Sequence, residues 1–414
     1  MVILTLIISM GITFFLVSKK LNIGFSLTIG ALVLALLNGK NIIYFMEVLL
    51  RTLSESATII LTVTILLITI LGHLMEKYLL LDRMIEALEK MLKSAKNTIL
   101  IAPAIIGTLL VTGGALMSCP VVENLGEKIH ISKDKRAAIN LIFRHALYFV
   151  YPLSPTMILA AELGNYNIWD FIKLQFPISL AMYVFGYFFY LRNAVEPSIE
   201  KIEAKQYLRT IMEFLLYASP ILISLLGVVL FHLPFHFSLV LGILLSIIIN
   251  IYDQKKDQKY KLNENIFQTI YKGIKPSMMI AVIGIMIFKN VVNDIDEIYV
   301  QLNRLLDQGI PLELLILIAA AMISFPLSSV QPGVAILYPM ILPLAANYDM
   351  KLLYAMFIYT NAFIFYYISP LHLCQVLTLE FFEVKLKDLY KNYILILPLT
   401  YATMLIIYMV HLYL

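Results

Sequence analysis

Apolar residues run along the chain in blocks of about 20, the length that crosses a bilayer core of about 30 Å as a helix, with short polar stretches between them. The pattern predicts ten crossings, near residues 2–17, 22–38, 57–74, 133–163, 167–191, 208–231, 235–252, 276–292, 351–382 and 389–412. Two further apolar stretches, 99–125 and 314–346, are interrupted midway by Gly, Pro and Ser. A continuous lipid-facing helix disfavours such interruptions, so both read as re-entrant hairpins. In Glu76–Lys93, Asn263–Lys275, Ile295–Leu306 and Ile42–Arg51, apolar residues recur at helical spacing among charges, as in helices lying flat at the headgroups.

Composition agrees: 61% of the 414 residues are hydrophobic and 14% are charged, against about 45–50% and about 25% in a soluble domain. Two cysteines exclude a disulfide-rich secreted domain and any Cys-based zinc or iron–sulfur cluster. With 31 Lys and Arg against 27 Asp and Glu, no nucleic-acid surface is indicated, and the bilayer is the expected partner. The placement of the basic residues matters more than their sum. Arg144 apart, the predicted spans divide them 24 to 6. The positive-inside rule then puts the richer side in the cytoplasm and both termini outside the cytoplasmic membrane.

The two halves of the chain align around the hairpins. Ile99–Ala102 returns as Ile316–Ala319, Gly114–Pro120 as Gly333–Pro339, and Leu153-Ser154-Pro155 as Ile368-Ser369-Pro370, with Pro177 and Pro398 closing the register. This predicts an all-α polytopic membrane protein of two repeats, 1–192 and 207–414, joined by a cytoplasmic linker at 193–206. Each repeat has five crossings, a hairpin and a broken helix. Five is odd, so the second repeat is inverted, an arrangement that in secondary transporters places substrate and ions near the midplane.

Candidate chemistry gathers there. The span 133–163 would reach about 46 Å as one helix at 1.5 Å per residue, more than the bilayer requires, so it is expected to break. Ser154-Pro155 reads as an N-cap Ser with Pro at the first helical position, and Ser369-Pro370 repeats this in 351–382. Two helices restarting inside the membrane would present free N–H groups and positive dipole ends, which favour a carboxylate or phosphate. The hairpin tips, Thr112-Gly113-Gly114 and Ser328–Gly333 with Ser329 and Gln331, bring more free backbone and hydroxyl groups to that depth. Carbonyls near Gly113 and Gly333 can equally ligate a hard cation such as Na⁺. Arg144, about 15 Å before Ser154 along a continuous helix, is the one basic residue deep in a span and a functional candidate. It can meet substrate, pair with Glu123 or Glu162, or snorkel toward the interface. Thr156 and Asn361 can line a polar path with Gln375, Thr360 and Thr378. His145 and His372 are candidate proton carriers, because imidazole titrates near neutral pH. Cys119 and Cys374 read as packed small residues. No paired carboxylates, metal-ligand cluster or nucleophile–base pair is evident, and no cofactor beyond a coupling H⁺ or Na⁺ is expected.

Two repeats, each with a hairpin followed by a helix broken at a Ser-containing turn, resemble the ion-transporter superfamily that includes dicarboxylate, citrate and gluconate permeases. Within it, the stretch GGALMSCPVVENLG (Gly113–Gly126) and the turn YPLSPT (Tyr151–Thr156) look most like an integral-membrane family, domain of unknown function 401. The resemblance covers essentially the whole chain. It implies an elevator-type carrier, often a homodimer, in which hairpins and broken helices move against a scaffold. By position, Thr112–Gly114, Ser328–Gly333, Ser154 and Ser369 would form the site, with Pro155, Thr156 and Pro370 in the turns. The turns read Ser-Pro-Thr and Ser-Pro-Leu where dicarboxylate carriers have Ser-Asn-Thr.

The reading that unites these features is a secondary carrier that couples a small organic anion to H⁺ or Na⁺ by alternating access. A channel or membrane subunit that relies on a separate binding protein is the alternative. An intramembrane enzyme using His145 and Arg144 on a lipid-linked substrate is a third.

Overall fold

The computed structural model describes residues 2–19, 21–92, 94–108, 114–195, 204–256 and 265–413. Among them the chain is helical, with no strand. It begins with α1 (Val2–Ser18), α2 (Ile23–Leu37), α3 (Ile42–Ser54), α4 (Ser56–Lys77) and α5 (Leu80–Leu92). Next come the hairpin arms α6 (Ala95–Gly107) and α7 (Gly114–Lys128), then α8 (Lys133–Ala146), α9 (Pro155–Gly164) and α10 (Ile168–Gly186). The rest comprises α11 (Ala204–Phe231), α12 (Phe235–Lys256), α13 (Ile266–Gly273), α14 (Pro276–Asn293) and α15 (Asp296–Asp307). It continues with α16 (Leu312–Leu327), α17 (Val330–Ile341), α18 (Tyr348–Tyr367), α19 (Leu373–Phe382) and α20 (Leu386–Tyr413).

Six segments among the described residues are long and apolar enough to cross a membrane: α4, α10 with the π-turn after it, α11, α12, α13–α14 and α20. The other four predicted crossings are made of shorter pieces. The first two are α1 and α2, of 17 and 15 residues, and the long spans 133–163 and 351–382 are each divided into two helices. The surface helix expected at Glu76–Lys93 begins later, because Glu76 and Lys77 complete α4 and Leu79 turns the chain at φ 56°. Residues 196–203 of the expected linker lie outside the described residues, and α11 already starts at Ala204 within it.

In lipid the hydrophobic effect does little to draw helices together, so small residues and interhelical hydrogen bonds take over. Gly24 of α2 and Gly284 of α14 let the two backbones touch: a Cβ at Gly24 would overlap the carbonyl of Ile280, and one at Gly284 would overlap that of Gly24. Ser9 Oγ donates to the Gly30 carbonyl at 2.7 Å across α1 and α2. Gly242 of α12 lies on Ser224 and Pro220 of α11. The interior is built on α8 and α17, where Arg136–Ala146 and Pro332–Ile341 are buried without interruption. α7 packs on α8 and α19, while α17 packs on α9 and α18. Each hairpin therefore reaches the half-helix that belongs to the other end of the chain.

Because the Gly24 contact is backbone to backbone, it has no flexible side chain to give way. Gly24→Ala is expected to cost about 1–3 kcal/mol, the usual penalty for overpacking, and to lower the melting temperature in detergent. Gly11→Ala, which has open space for a Cβ, should not. Thermal unfolding of the two variants checks this.

Candidate functional site

Both breaks are built on a proline turn. In the first, α8 ends at Ala146, a 3₁₀ turn covers Leu147–Phe149, and Ser154 N–H donates to the Tyr151 carbonyl at 3.1 Å, closing Tyr151-Pro152-Leu153-Ser154. Pro152 holds the second position of that turn, where its fixed φ is preferred. Ser154 then precedes α9, with Pro155 at its start, although the Ser154 side chain makes no capping hydrogen bond.

The second break departs from expectation. His372 N–H donates to the Ser369 carbonyl at 3.1 Å, so Ser369-Pro370-Leu371-His372 is the turn, and α19 starts at Leu373 with His372 as N-cap. Ser-Pro is as good a turn opening as a helix start, and here it is the turn. Ser369 Oγ accepts from Leu371 N–H at 3.2 Å, and Pro370 faces an apolar groove against α20. Pro370 thus answers to Pro152, and His372 to Ser154.

Interrupting a helix frees carbonyls that lipid cannot solvate, and side chains reach in to meet them. At the first break Ser179 Oγ donates to the Ala146 carbonyl (2.7 Å), Tyr359 OH to that of Tyr148 (3.1 Å) and Gln175 Nε2 to that of Phe149 (3.3 Å). At the second, Tyr390 OH donates to the Ile368 carbonyl (2.6 Å) and Gln375 Nε2 to that of Ser369 (3.1 Å).

The two breaks meet at a cavity of about 130 Å³ lined by Gly107, Thr108, Arg144, His145, Leu147, Tyr148, Tyr151, Ser154, Tyr366 and Cys374. This is smaller than the ~300–1,000 Å³ typical of ligand pockets, which favours a small solute. Arg144, 8% exposed, lies in the last turn of α8 against Gly107, where a Cβ would overlap its carbonyl. Because the break folds the chain back, Arg144 and Ser154 line one cavity rather than standing 15 Å apart along a rod. Glu123, one carboxylate offered to Arg144, is instead paired with Arg136 at 3.2 Å. The cavity also takes one residue from each restarting helix, Ser154 before α9 and Cys374 in the first turn of α19.

His145 and His372 stack edge to face with ring centroids 4.9 Å apart. His145 Nδ1 bonds the Leu141 carbonyl at 2.8 Å, and Tyr366 OH donates to its Nε2 at 3.2 Å. Thr156 shares a 2.9 Å hydrogen bond with Tyr148 OH.

Other predicted residues lie elsewhere. Thr112 and Gly113 fall outside the described residues, and Gly114 opens α7. At the second hairpin only Ser328, left-handed at φ 48°, and Ser329 separate the arms. Gln331 and Gly333 already belong to α17, and Gly333 is a packing residue: a Cβ there would press Ser324 Oγ and Ala362. The expected free tip at Ser328–Gly333 is therefore two residues long. Asn361 turns from the cavity, donating to the Phe357 carbonyl and accepting from Tyr401 OH of α20 at 3.0 Å. Sequence reasoning missed Tyr148 and Tyr366, which carry no signal among 25 tyrosines, and gave Tyr151 no role beyond opening the YPLSPT turn. It also missed Cys374, read there as filler.

Residues 1–411 match the family described as protein of unknown function (DUF401). The chain belongs to this family. No curated protein matches it. Among solved structures it is similar to the YdaH transporter of Alcanivorax borkumensis, whose topology is described as unusual. The two share 13% identity and a TM-score of 0.60 over 89% of this chain and 87% of that one. This DUF401 protein thus has the helical fold of a multi-pass membrane transporter.

If the cavity at the first break is where a small ligand sits, Ser154→Leu should abolish ligand-induced thermal stabilisation. Asn361→Ala should preserve it while costing about 1 kcal/mol of stability for the lost Tyr401 bond. A thermal-shift screen against carboxylates, sugar acids and amino acids, with Na⁺ or K⁺ at two pH values, reads both.

Proposed function

We propose that this DUF401 protein is a secondary active transporter that moves a small organic anion, a carboxylate, across the cytoplasmic membrane by alternating access. H⁺ or Na⁺ is the coupling ion. The observation that carries the reading is the buried Arg144 guanidinium beside a small cavity that two interrupted helices both reach. A guanidinium on the cavity wall makes the cavity favourable to an anion. The cavity-side positions of Ser154 and Cys374 add the positive ends of two helix dipoles. The reciprocal packing of α7 on α19 and α17 on α9 supports two inverted repeats. A transport unit of hairpins and broken helices moving against a scaffold, a homodimer, and termini outside the cell belong to the same proposal. Arg144 is the substrate group, and His145 with His372 the proton-carrying pair of an H⁺-coupled version.

Purified protein in liposomes should accumulate a labelled carboxylate only while an inward H⁺ or Na⁺ gradient stands, and an ionophore that dissipates the gradient should end accumulation. Uptake indifferent to both gradients would remove the coupled carrier and leave the channel reading. Arg144→Ala should weaken substrate affinity about 10–100-fold, the worth of a charged hydrogen bond of about 1.5–3 kcal/mol, with Arg144→Lys recovering part of it.

A further inference from the structure

Cys374 and the two imidazoles converge although no ligand spacing in the sequence announces them. A ring nitrogen of His145, one of His372 and the Cys374 Sγ all lie within 4.8 Å of one another. We propose that His145, His372 and Cys374 bind a borderline-soft divalent metal ion of the Zn²⁺ class, with its remaining coordination position open to the cavity.

The donor set is the first reason. Two imidazoles and a thiol suit Zn²⁺ and its neighbours, whereas Na⁺, Mg²⁺ and Ca²⁺ require oxygen ligands. The second reason is the orientation of the rings. A carbonyl oxygen only accepts hydrogen bonds, so the Leu141 carbonyl at 2.8 Å and the Tyr367 carbonyl at 3.4 Å place the hydrogen of each neutral imidazole on Nδ1. Both Nε2 atoms then carry a lone pair; that of His145 accepts from Tyr366 OH at 3.2 Å, a hydrogen bond that metal binding displaces. An imidazole held through its far nitrogen by a backbone carbonyl is the usual support of a metal-ligating His. Thirdly, His372, 2% exposed, buries its Nε2 with no hydrogen-bond partner. Such an atom costs free energy unless something fills the position, and a metal ion would.

Bond lengths of about 2.0–2.1 Å to nitrogen and about 2.3 Å to sulfur put tetrahedral ligands about 3.5 Å apart. Binding therefore draws the three groups together by about an ångström, within reach of side-chain rotation. Cys374 is only partly buried and lines the cavity, so an ion can reach it. On binding, the thiol proton passes to solvent and the thiolate offsets one of the two metal charges. Arg144, on the same cavity wall, opposes the remaining positive charge and so favours an anion, a carboxylate or hydroxide, in the open position.

The test uses the full-length protein in detergent, freed of any histidine tag and of metal, titrated with Co²⁺ as a spectroscopic stand-in for Zn²⁺. One equivalent should bind with a thiolate-to-cobalt charge-transfer band that Zn²⁺ displaces. Cys374→Ser should lose the band, and His372→Ala should weaken binding by at least the ~10–100-fold that outer-shell partners alone cost. Cys119→Ser should leave both intact. No saturable binding, a spectrum without the sulfur band, or a band that survives Cys374→Ser would overturn the proposal. Should the variants fail to fold, the wild type still decides: Zn²⁺ must slow alkylation of Cys374, and unchanged alkylation refutes the site. An ion bound there occupies both imidazoles, so success here removes them as the proton-carrying pair; because no transport is measured, failure here leaves the carrier reading intact, and failure of uptake leaves the metal site intact.

Discussion

Every feature of the site follows from one constraint: a backbone carbonyl or amide released from a helix inside lipid must find another partner. Pro152 and Pro370 force two such releases. The carbonyls are met by Ser179, Gln175, Tyr359, Tyr390 and Gln375. The amides at the starts of α9 and α19 receive no side-chain cap. This asymmetry gives the interior its polarity. The released carbonyls are met from within the protein, while the first amides of α9 and α19 are not capped by a side chain.

The donors come from specific places. Gln175 and Ser179 lie one turn apart on the buried face of α10, and Tyr359 comes from α18. The first break is thus held by helices from both ends of the chain. A break secured this way is preorganised, because the side chains that satisfy it are themselves locked by packing. The contacts among α1, α2 and α14 are of another kind. Gly24 on Gly284 is a close backbone approach between α2 and α14, and the Ser9 hydroxyl bonds the Gly30 carbonyl between α1 and α2.

The cavity also combines groups of opposed preference. Arg144 favours anions, while His145, His372 and Cys374 form a set that suits a soft cation. The two are compatible if a metal ion and an anion occupy the cavity together, each offsetting the other's charge in a medium of low dielectric.

Much of the fold was legible in the sequence, because hydropathy blocks and proline punctuation are local signals. The apolar runs located the helices, and the lengths of 133–163 and 351–382 announced that each is divided into two helices. Arg144 and Ser154 were legible at the site, since a charge and a Ser-Pro pair inside a span are conspicuous anywhere. Ser369-Pro370 was misread because the same dipeptide opens a turn or caps a helix, and only the hydrogen bond from His372 distinguishes them. Asn361 and Gly333 lost their polar roles to Tyr401 and Ala362, neighbours that no spacing in the chain reveals. The meeting of Cys374 with two histidines, one of them more than two hundred residues away, was likewise decided by tertiary structure alone, because convergence depends on how helices pack and periodicity reports only which face a residue occupies.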